Sequence, residues 1–230
     1  MDKKLEAFIK LAETFKQHGH QLYLVGGTVR DYLLGEPLTD MDAVTDALPE
    51  EVISFLPSID TTFIKYGSLK YKDHDGLKFD ITTLRKEFSY RDARHPEEIV
   101  FVKDLKEDFL RRDFTVNALY MDQDLKVIDY CQGQIDLKNK VLRMVGDPFI
   151  RTKEDPLRIL RAIRFALMHD LTIEETLLQA MHENFSFLKK VTGAKIRSEL
   201  NKIDDSIVDQ NKKKTFFQQF DIANLVGVIK

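Results

Sequence analysis

Gly26-Gly27-Thr28-Val29-Arg30-Asp31, followed at a short interval by Asp40-Met41-Asp42, sets a glycine turn just upstream of two carboxylates. Moving a nucleotide from a nucleoside triphosphate needs both halves of such an arrangement, because the attacking hydroxyl and the leaving pyrophosphate are each served by a divalent cation. Residues two apart on a strand point to the same side, so Asp40 and Asp42 can chelate together, and their hard oxygens favour Mg2+ over soft metals. Gln21–Val25 reads as a buried strand. Gly26 and Gly27 then let the backbone approach phosphate oxygens as a helix opens near Thr28, and Arg30 adds a charge-assisted contact. A glycine pair alone is more often punctuation between strand and helix, and a lone Asp-x-Asp more often a solvated loop. Their order and closeness turn both toward nucleotidyl transfer.

Two further constellations extend the site. Asp155-Pro156-Leu157-Arg158-Ile159-Leu160-Arg161-Ala162-Ile163-Arg164-Phe165 places charged groups every third residue, a slowly winding polar stripe on a predicted helix Asp155–His169. A salt-bridged solvent face would look the same. The chemical reading is sharper: an aspartate accepts from an exocyclic amine and an arginine donates to a ring nitrogen or carbonyl, so Asp155 with Arg158 matches the Watson–Crick edge of C or A. U and G would set like groups against both residues. Arg111-Arg112-Asp113-Phe114-Thr115-Val116-Asn117-Ala118 is the third segment, with Arg112 suited to triphosphate or sugar and Asp113 and Asn117 suited to ordering a turn.

These groups need elements to hold them. Leu5, Phe8, Ile9, Ala12 and Phe15 repeat at helical spacing before Gly19. A short helix ends at Gly35, a strand spans Asp40–Val44, and Pro49-Glu50-Glu51 opens a helix to about Leu56. Ser68–Lys72 and Leu77–Thr83 flank an Asp-Gly turn as a hairpin, with Asp80 a candidate third carboxylate. Lys86–Glu98, polar and without periodicity, reads as a mobile loop that includes Arg91, Asp92, Arg94 and His95. From about Leu142 strand signals stop, and helices are predicted at 172–183, 194–203 and 213–220, with Thr172 and Glu175 as a capping box. The expectation is an α+β head over 1–141, with a small, mixed, mostly antiparallel sheet, followed by an all-helical neck over 142–230.

At 230 residues with 43% hydrophobic content, the chain can bury one good core and a second small one. Cys131 is the single cysteine, which excludes an intrachain disulfide and a thiolate metal cage and points to a reducing, cytoplasmic setting. The N-terminal segment is amphipathic rather than apolar, so neither a signal peptide nor a membrane span is expected. A net charge of −3 does not advertise nucleic acid, yet Lys189, Lys190, Lys195, Arg197, Lys202 and Lys212–Lys214 gather basic charge late in the chain.

In order and spacing, Gly-Gly-x-Val-Arg-Asp, Asp-x-Asp, Arg-Arg-Asp-Phe-Thr-Val-Asn-Ala and Glu154-Asp155-x-Leu-Arg158-x-x-Arg161-x-x-Arg164-Phe165 resemble the class II tRNA nucleotidyltransferase and poly(A) polymerase family, the bacterial CCA-adding enzymes among them. The resemblance covers about residues 18–203. It implies Mg2+ at Asp40 and Asp42, nucleotide contacts from Gly26, Gly27, Arg30, Arg112, Arg161 and Arg164, and base reading by Asp155 and Arg158. It implies CTP and ATP as substrates and the 3′ end of tRNA as partner, with A-adding, CC-adding and poly(A)-adding activities as variants of the same motifs and a non-catalytic nucleotide- or RNA-binding relic as the reading from another class. The Lys86–Glu98 segment resembles the flexible loop of enzymes that add the terminal A. Two departures stand out. Thr192–Arg197 replaces a usual Ser-x-Glu-Arg-Ile type motif, which withdraws the expectation of the neck salt bridge that motif supplies, and the helical body and tail of the family have no counterpart before Lys230.

Overall fold

The computed structural model describes residues 2–90 and 96–228. Contacts divide the chain into two compact units, 1–87 with 98–134 and 88–97 with 135–230.

In the first unit, α1 (Lys3–Gln17) is capped by the Asp2 carboxylate, which accepts from the Lys4 amide at 2.7 Å. It buries Leu5, Phe8, Leu11, Ala12 and Phe15 along one stripe. β1 (Leu22–Val25), α2 (Gly27–Leu34), β2 (Asp42–Thr45), α3 (Pro49–Phe55), β3 (Ser68–Lys72) and β4 (Lys78–Thr83) follow. Next come β5 (Arg85–Tyr90) and β6 (Pro96–Phe101), each only partly in this unit, and then α4 (Leu105–Asp108), β7 (Leu119–Met121) and β8 (Val127–Asp129). Six strands form one sheet in the order β3-β4-β2-β1-β7-β8. Only the β2–β4 pair is parallel; the other neighbours run antiparallel. The α+β class with a mostly antiparallel sheet is thereby met.

Period-two alternation divides the sheet faces. Leu22, Leu24, Ala43, Leu69, Phe79, Ile81, Leu119 and Met121 join the α1 side chains in the main core. The opposite face carries a smaller cluster of Val25, Val44, Leu84, Leu105 and Tyr120, and it is on this face that Asp42 and Asp80 project. After β8, the Asp129 carboxylate accepts the Cys131 and Gly133 amides, each at 3.0 Å. There the chain passes so close to the 115–117 turn that a Cβ on Gly133 would lie 2.1 Å from the Thr115 carbonyl oxygen.

Two expectations for this region are corrected. The strand at the carboxylates begins at Asp42, leaving Asp40 in the preceding loop. The flanks of the expected 86–98 loop are strands, since β5 and β6 pair as a separate two-stranded sheet; Arg91, Asp92, Arg94 and His95 lie outside the described residues.

The second unit takes most of α5 (Gly133–Lys138), then β9 (Val141–Leu142), α6 (Pro148–Glu154), α7 (Leu157–Met168), β10 (Thr172–Ile173), α8 (Glu175–Asn184), α9 (Gly193–Leu200), α10 (Gln210–Gln219) and α11 (Ile222–Val228). Strand structure does not stop at Leu142: Thr172 and Ile173 pair in parallel with Val141 and Leu142. Thr172 is therefore not a cap. Glu174 caps α8 instead, its carboxylate accepting the Leu177 amide at 3.0 Å. No helix among the described residues is long and apolar enough to cross a membrane.

Candidate functional site

The turn between β1 and α2 is built as a cradle. Gly26 has φ 67° and ψ −130°, a conformation costly for any side chain, and its amide donates to the Leu119 carbonyl at 3.2 Å. α2 then begins at Gly27, so the amides of its first turn lie at the N-terminal, electropositive end of the helix. Arg30 does not extend into solvent. Its guanidinium donates to Asp31 Oδ1 at 2.9 and 2.7 Å and to Asn117 Oδ1 at 2.8 Å, and the residue is buried. Asn117 in turn donates to Asp113 Oδ1 at 3.5 Å, so the Asp113–Asn117 segment braces the cradle from beneath.

Thr28, inside the glycine motif but unnoticed in the sequence, joins cradle to carboxylates. Its hydroxyl donates to the Asp40 carbonyl and accepts the Asp42 amide, both at 3.0 Å. Met41, between the two aspartates, turns its side chain into the core and is 3% exposed. Asp42 stands directly opposite Asp80 in the β2–β4 register. The Asp42 carboxyl is pushed up to about 6 by burial first, then by the Asp80 and Asp40 charges, with Arg112 acting in the opposite direction. A half-buried carboxylate facing two like charges suits a hard divalent cation, whose charge would reverse that penalty. Their oxygens are not all within 4.8 Å of one another, so the cluster is open.

Arg112 reaches the cradle from the segment before β7: its Nη1 lies 4.0 Å from where a Cβ on Gly26 would stand. Its remaining donors are held by Asp108 Oδ2, at 3.2 and 2.8 Å, and by the Tyr120 hydroxyl at 2.9 Å. Asp108 is fully buried and also accepts from Arg111 at 2.9 Å, from Tyr120 at 2.8 Å and from the Arg85 amide at 3.1 Å. Burial alone would raise its pKa, but Arg111 and Arg112 hold it well below the usual carboxylate range. Sequence reasoning passed over Asp108 and Tyr120. The three- and four-residue spacing from Asp108 to Arg111 and Arg112 carried a signal; nothing marked Tyr120.

In the second unit the predicted helix Asp155–His169 forms as α7 but begins two residues later, at Leu157. Asp155 sits extended between α6 and α7, with φ −132° and ψ 93°, and its carboxylate caps α7 by accepting the Leu157 amide at 3.1 Å. Arg158, on the first turn of α7, is buried and donates to the Arg151 carbonyl at 3.0 Å, with Glu154 at 3.7 Å. Arg161 and Arg164 both lie against the Phe165 ring, at 5.4 and 4.1 Å. Arg164 also binds Glu199 at 2.6 Å, and Lys202 completes that ion pair at 3.0 Å. Burial works against the Glu199 charge, but Arg164 and Arg161 prevail and keep its pKa low. The departure at Thr192–Arg197 therefore does not leave α9 without an ion pair, because Glu199, which the sequence did not single out, supplies one.

Comparison with known proteins gives this geometry its context. Residues 22–143 match the model of the poly(A) polymerase head domain. A CCA-adding enzyme of Lactobacillus helveticus is 42% identical over 207 residues, covering 88% of this chain and 51% of the relative. One of Staphylococcus haemolyticus is 37% identical, covering 92% and 52%. Among solved structures, the Bacillus stearothermophilus CCA-adding enzyme in complex with CTP superposes with a TM-score of 0.81 at 33% identity, over 88% of this chain and 49% of that one. The Thermotoga maritima enzyme complexed with tRNA gives 0.79 at 30%, over 98% and 53%. The chain thus spans about half the length of the relatives it matches. With the head-domain match running over more than half of its residues, and with the glycine cradle, paired aspartates and Arg112 segment inside that match, the chain belongs to the poly(A) polymerase head-domain family.

Proposed function

We propose that this chain is the catalytic and base-selecting part of a Mg2+-dependent, template-independent nucleotidyltransferase of the cytoplasm that adds C, C and A to tRNA 3′ ends from CTP and ATP. The observation that carries the reading is the Asp42–Asp80 pair in register beside Asp40, stapled by Thr28 to a glycine cradle at a helix N-terminus. The relatives named CCA-adding enzyme, and the solved complexes with CTP and tRNA, support the choice of substrates.

In this reading Asp40 and Asp42 hold Mg2+. Held there, a divalent cation would supply Lewis-acid activation of the RNA 3′-hydroxyl and charge neutralisation for the pyrophosphate. The amides after Gly26 and Gly27 take the triphosphate, and Arg112, kept fully cationic and immobile by Asp108 and Tyr120, faces its charge. Arg30 serves the nucleotide by fixing the cradle between Asp31 and Asn117. Asp155 and Arg158 read the Watson–Crick edge, while Arg161 and Arg164 line the same helix. No protein side chain is needed as a dedicated base.

Incubation of the purified chain with a tRNA transcript lacking CCA, labelled CTP or ATP, and Mg2+ tests the whole. Extension to CCA is expected. ATP-only or CTP-only extension would recast the chain as an A-adding or CC-adding enzyme, and absence of extension with every nucleotide would overturn the reading in favour of a non-catalytic nucleotide- or RNA-binding protein.

A further inference from the structure

The carboxylate pair lies between two different flanks of one sheet. Toward β1 it has the glycine cradle and Arg112; toward β3 it has lysines. Lys70 and Lys72 alternate onto the same face of β3, Lys70 opposite Asp80 and Lys72 opposite Lys78. All three are exposed, and together with Asp40, Asp80 and Asp60 they line a groove of about 600 Å³. Lys4, also on its wall, is committed to the carbonyls of Leu38 and Thr39. Asp60 accepts from the Thr62 amide and hydroxyl at 2.9 and 2.6 Å.

Lys72 against Lys78 is the informative pair. Like charges directly opposite on antiparallel strands repel, and neither ammonium forms an ion pair with a described residue. An anion lying across them would remove the repulsion. Nucleotidyl transfer brings two anionic reactants to one carboxylate pair, and the cradle flank suits the triphosphate. The lysine flank is left for the other. Side chains two apart on a strand stand about 6.6–6.8 Å from each other, the scale of one nucleotide step in an extended strand.

We propose that this groove binds the phosphodiester backbone at the 3′ end of the RNA, with Lys72 and Lys78 on a phosphate behind the terminal nucleotide and Lys70 next to the carboxylates; the assignment rests on the nucleotidyltransferase reading above. Lys72→Gln with Lys78→Gln in the full chain is the test, read by fluorescence titration of a labelled tRNA transcript lacking CCA across a salt series, and by steady-state kinetics. The dependence of log affinity on log salt should become shallower by about 0.7, the share of the one phosphate of single-stranded RNA that the two lysines neutralise together. The KM for RNA should rise about tenfold with the KM for CTP unchanged, and Lys72→Arg with Lys78→Arg should restore both. An unaltered salt slope, or an effect on CTP in place of RNA, overturns the groove. The parent reading fails separately: if wild type incorporates no nucleotide, the binding titration alone still decides, a shallower slope keeping the groove and an unchanged one removing it.

Discussion

Asp42 is a residue of the first unit whose charge the fold penalises, by burial first and then by two neighbouring carboxylates. Removing it or Asp40 by substitution with alanine should cut incorporation by more than about a hundredfold, since metal-ion catalysis supplies several kcal/mol and a hundredfold is only about 3; retention of more than a hundredth by the double variant would refute the metal assignment. The same residue should limit stability. Its carboxyl titrates near 6 in the fold against an ordinary value of 3.8, so folding favours the protonated form. That contribution is fully present below pH 3.8 and is lost as pH rises through 6. Two units correspond to about 3 kcal/mol at most. Asp42→Asn should therefore melt higher than wild type at pH 8 in EDTA, with the gap closing toward pH 4 and narrowing when a divalent cation is added. Melting curves that run parallel at both pH values would mean that neither burial nor the neighbouring carboxylates penalise the Asp42 charge. Asp108 has the opposite sign, adding stability above its unfolded pKa that is lost on acidification.

Among the elements, α7 shows where a sequence stops being legible. Its apolar stripe and its arginines fall as the spacing predicts, but the start does not, because proline at 156 ends α6 and leaves Asp155 outside both helices as a cap. That double duty makes a measurable distinction. Asp155→Ala should lose about 1 kcal/mol of stability through the cap and also raise UTP incorporation relative to CTP by about ten- to a hundredfold, the worth of an edge contact of 1–3 kcal/mol. Loss of stability with unchanged base preference would reduce Asp155 to a cap alone, as competition assays with paired nucleotides would show. The hairpin and the α2 boundaries were readable because glycines and an Asp-Gly turn punctuate them. Polar strand segments are not: most of β5 and the start of β6 lack an apolar alternation, so the sequence predicts a loop over 86–98, while β10 is too short to show any period. In the site, the motif residues were readable but their partners were not, since Asp108, Tyr120 and Glu199 act through contacts made only on folding.

At the scale of the whole chain, two sets can be distinguished among the late basic residues. Lys202, Lys212 and Lys213 are paired with Glu199, Asp170 and Asp205. Lys189 and Lys190 are exposed, the latter 4.8 Å over the Phe187 ring. A surface that grips RNA through the second unit should therefore depend on the latter pair: Lys189→Gln with Lys190→Gln should flatten the salt dependence of filter binding, and Lys212→Gln with Lys213→Gln should leave it nearly unchanged. Equal effects from both pairs would count against this division. A subtler dependence runs through position 133. Thr115 belongs to the turn that ends in Asn117, Asn117 holds Arg30, and Gly133 lies against Thr115 with no room for a methyl group. An alanine there would act as a wedge, driving apart two stretches of backbone and tilting the brace under the cradle without touching one polar group of the site. Overpacking of this kind costs about 1–3 kcal/mol, so Gly133→Ala should melt lower and raise the KM for CTP. A buried glycine at the head of α5, one hydrogen atom wide, thus sets the mutational tolerance of a cradle assembled from two distant parts of the chain.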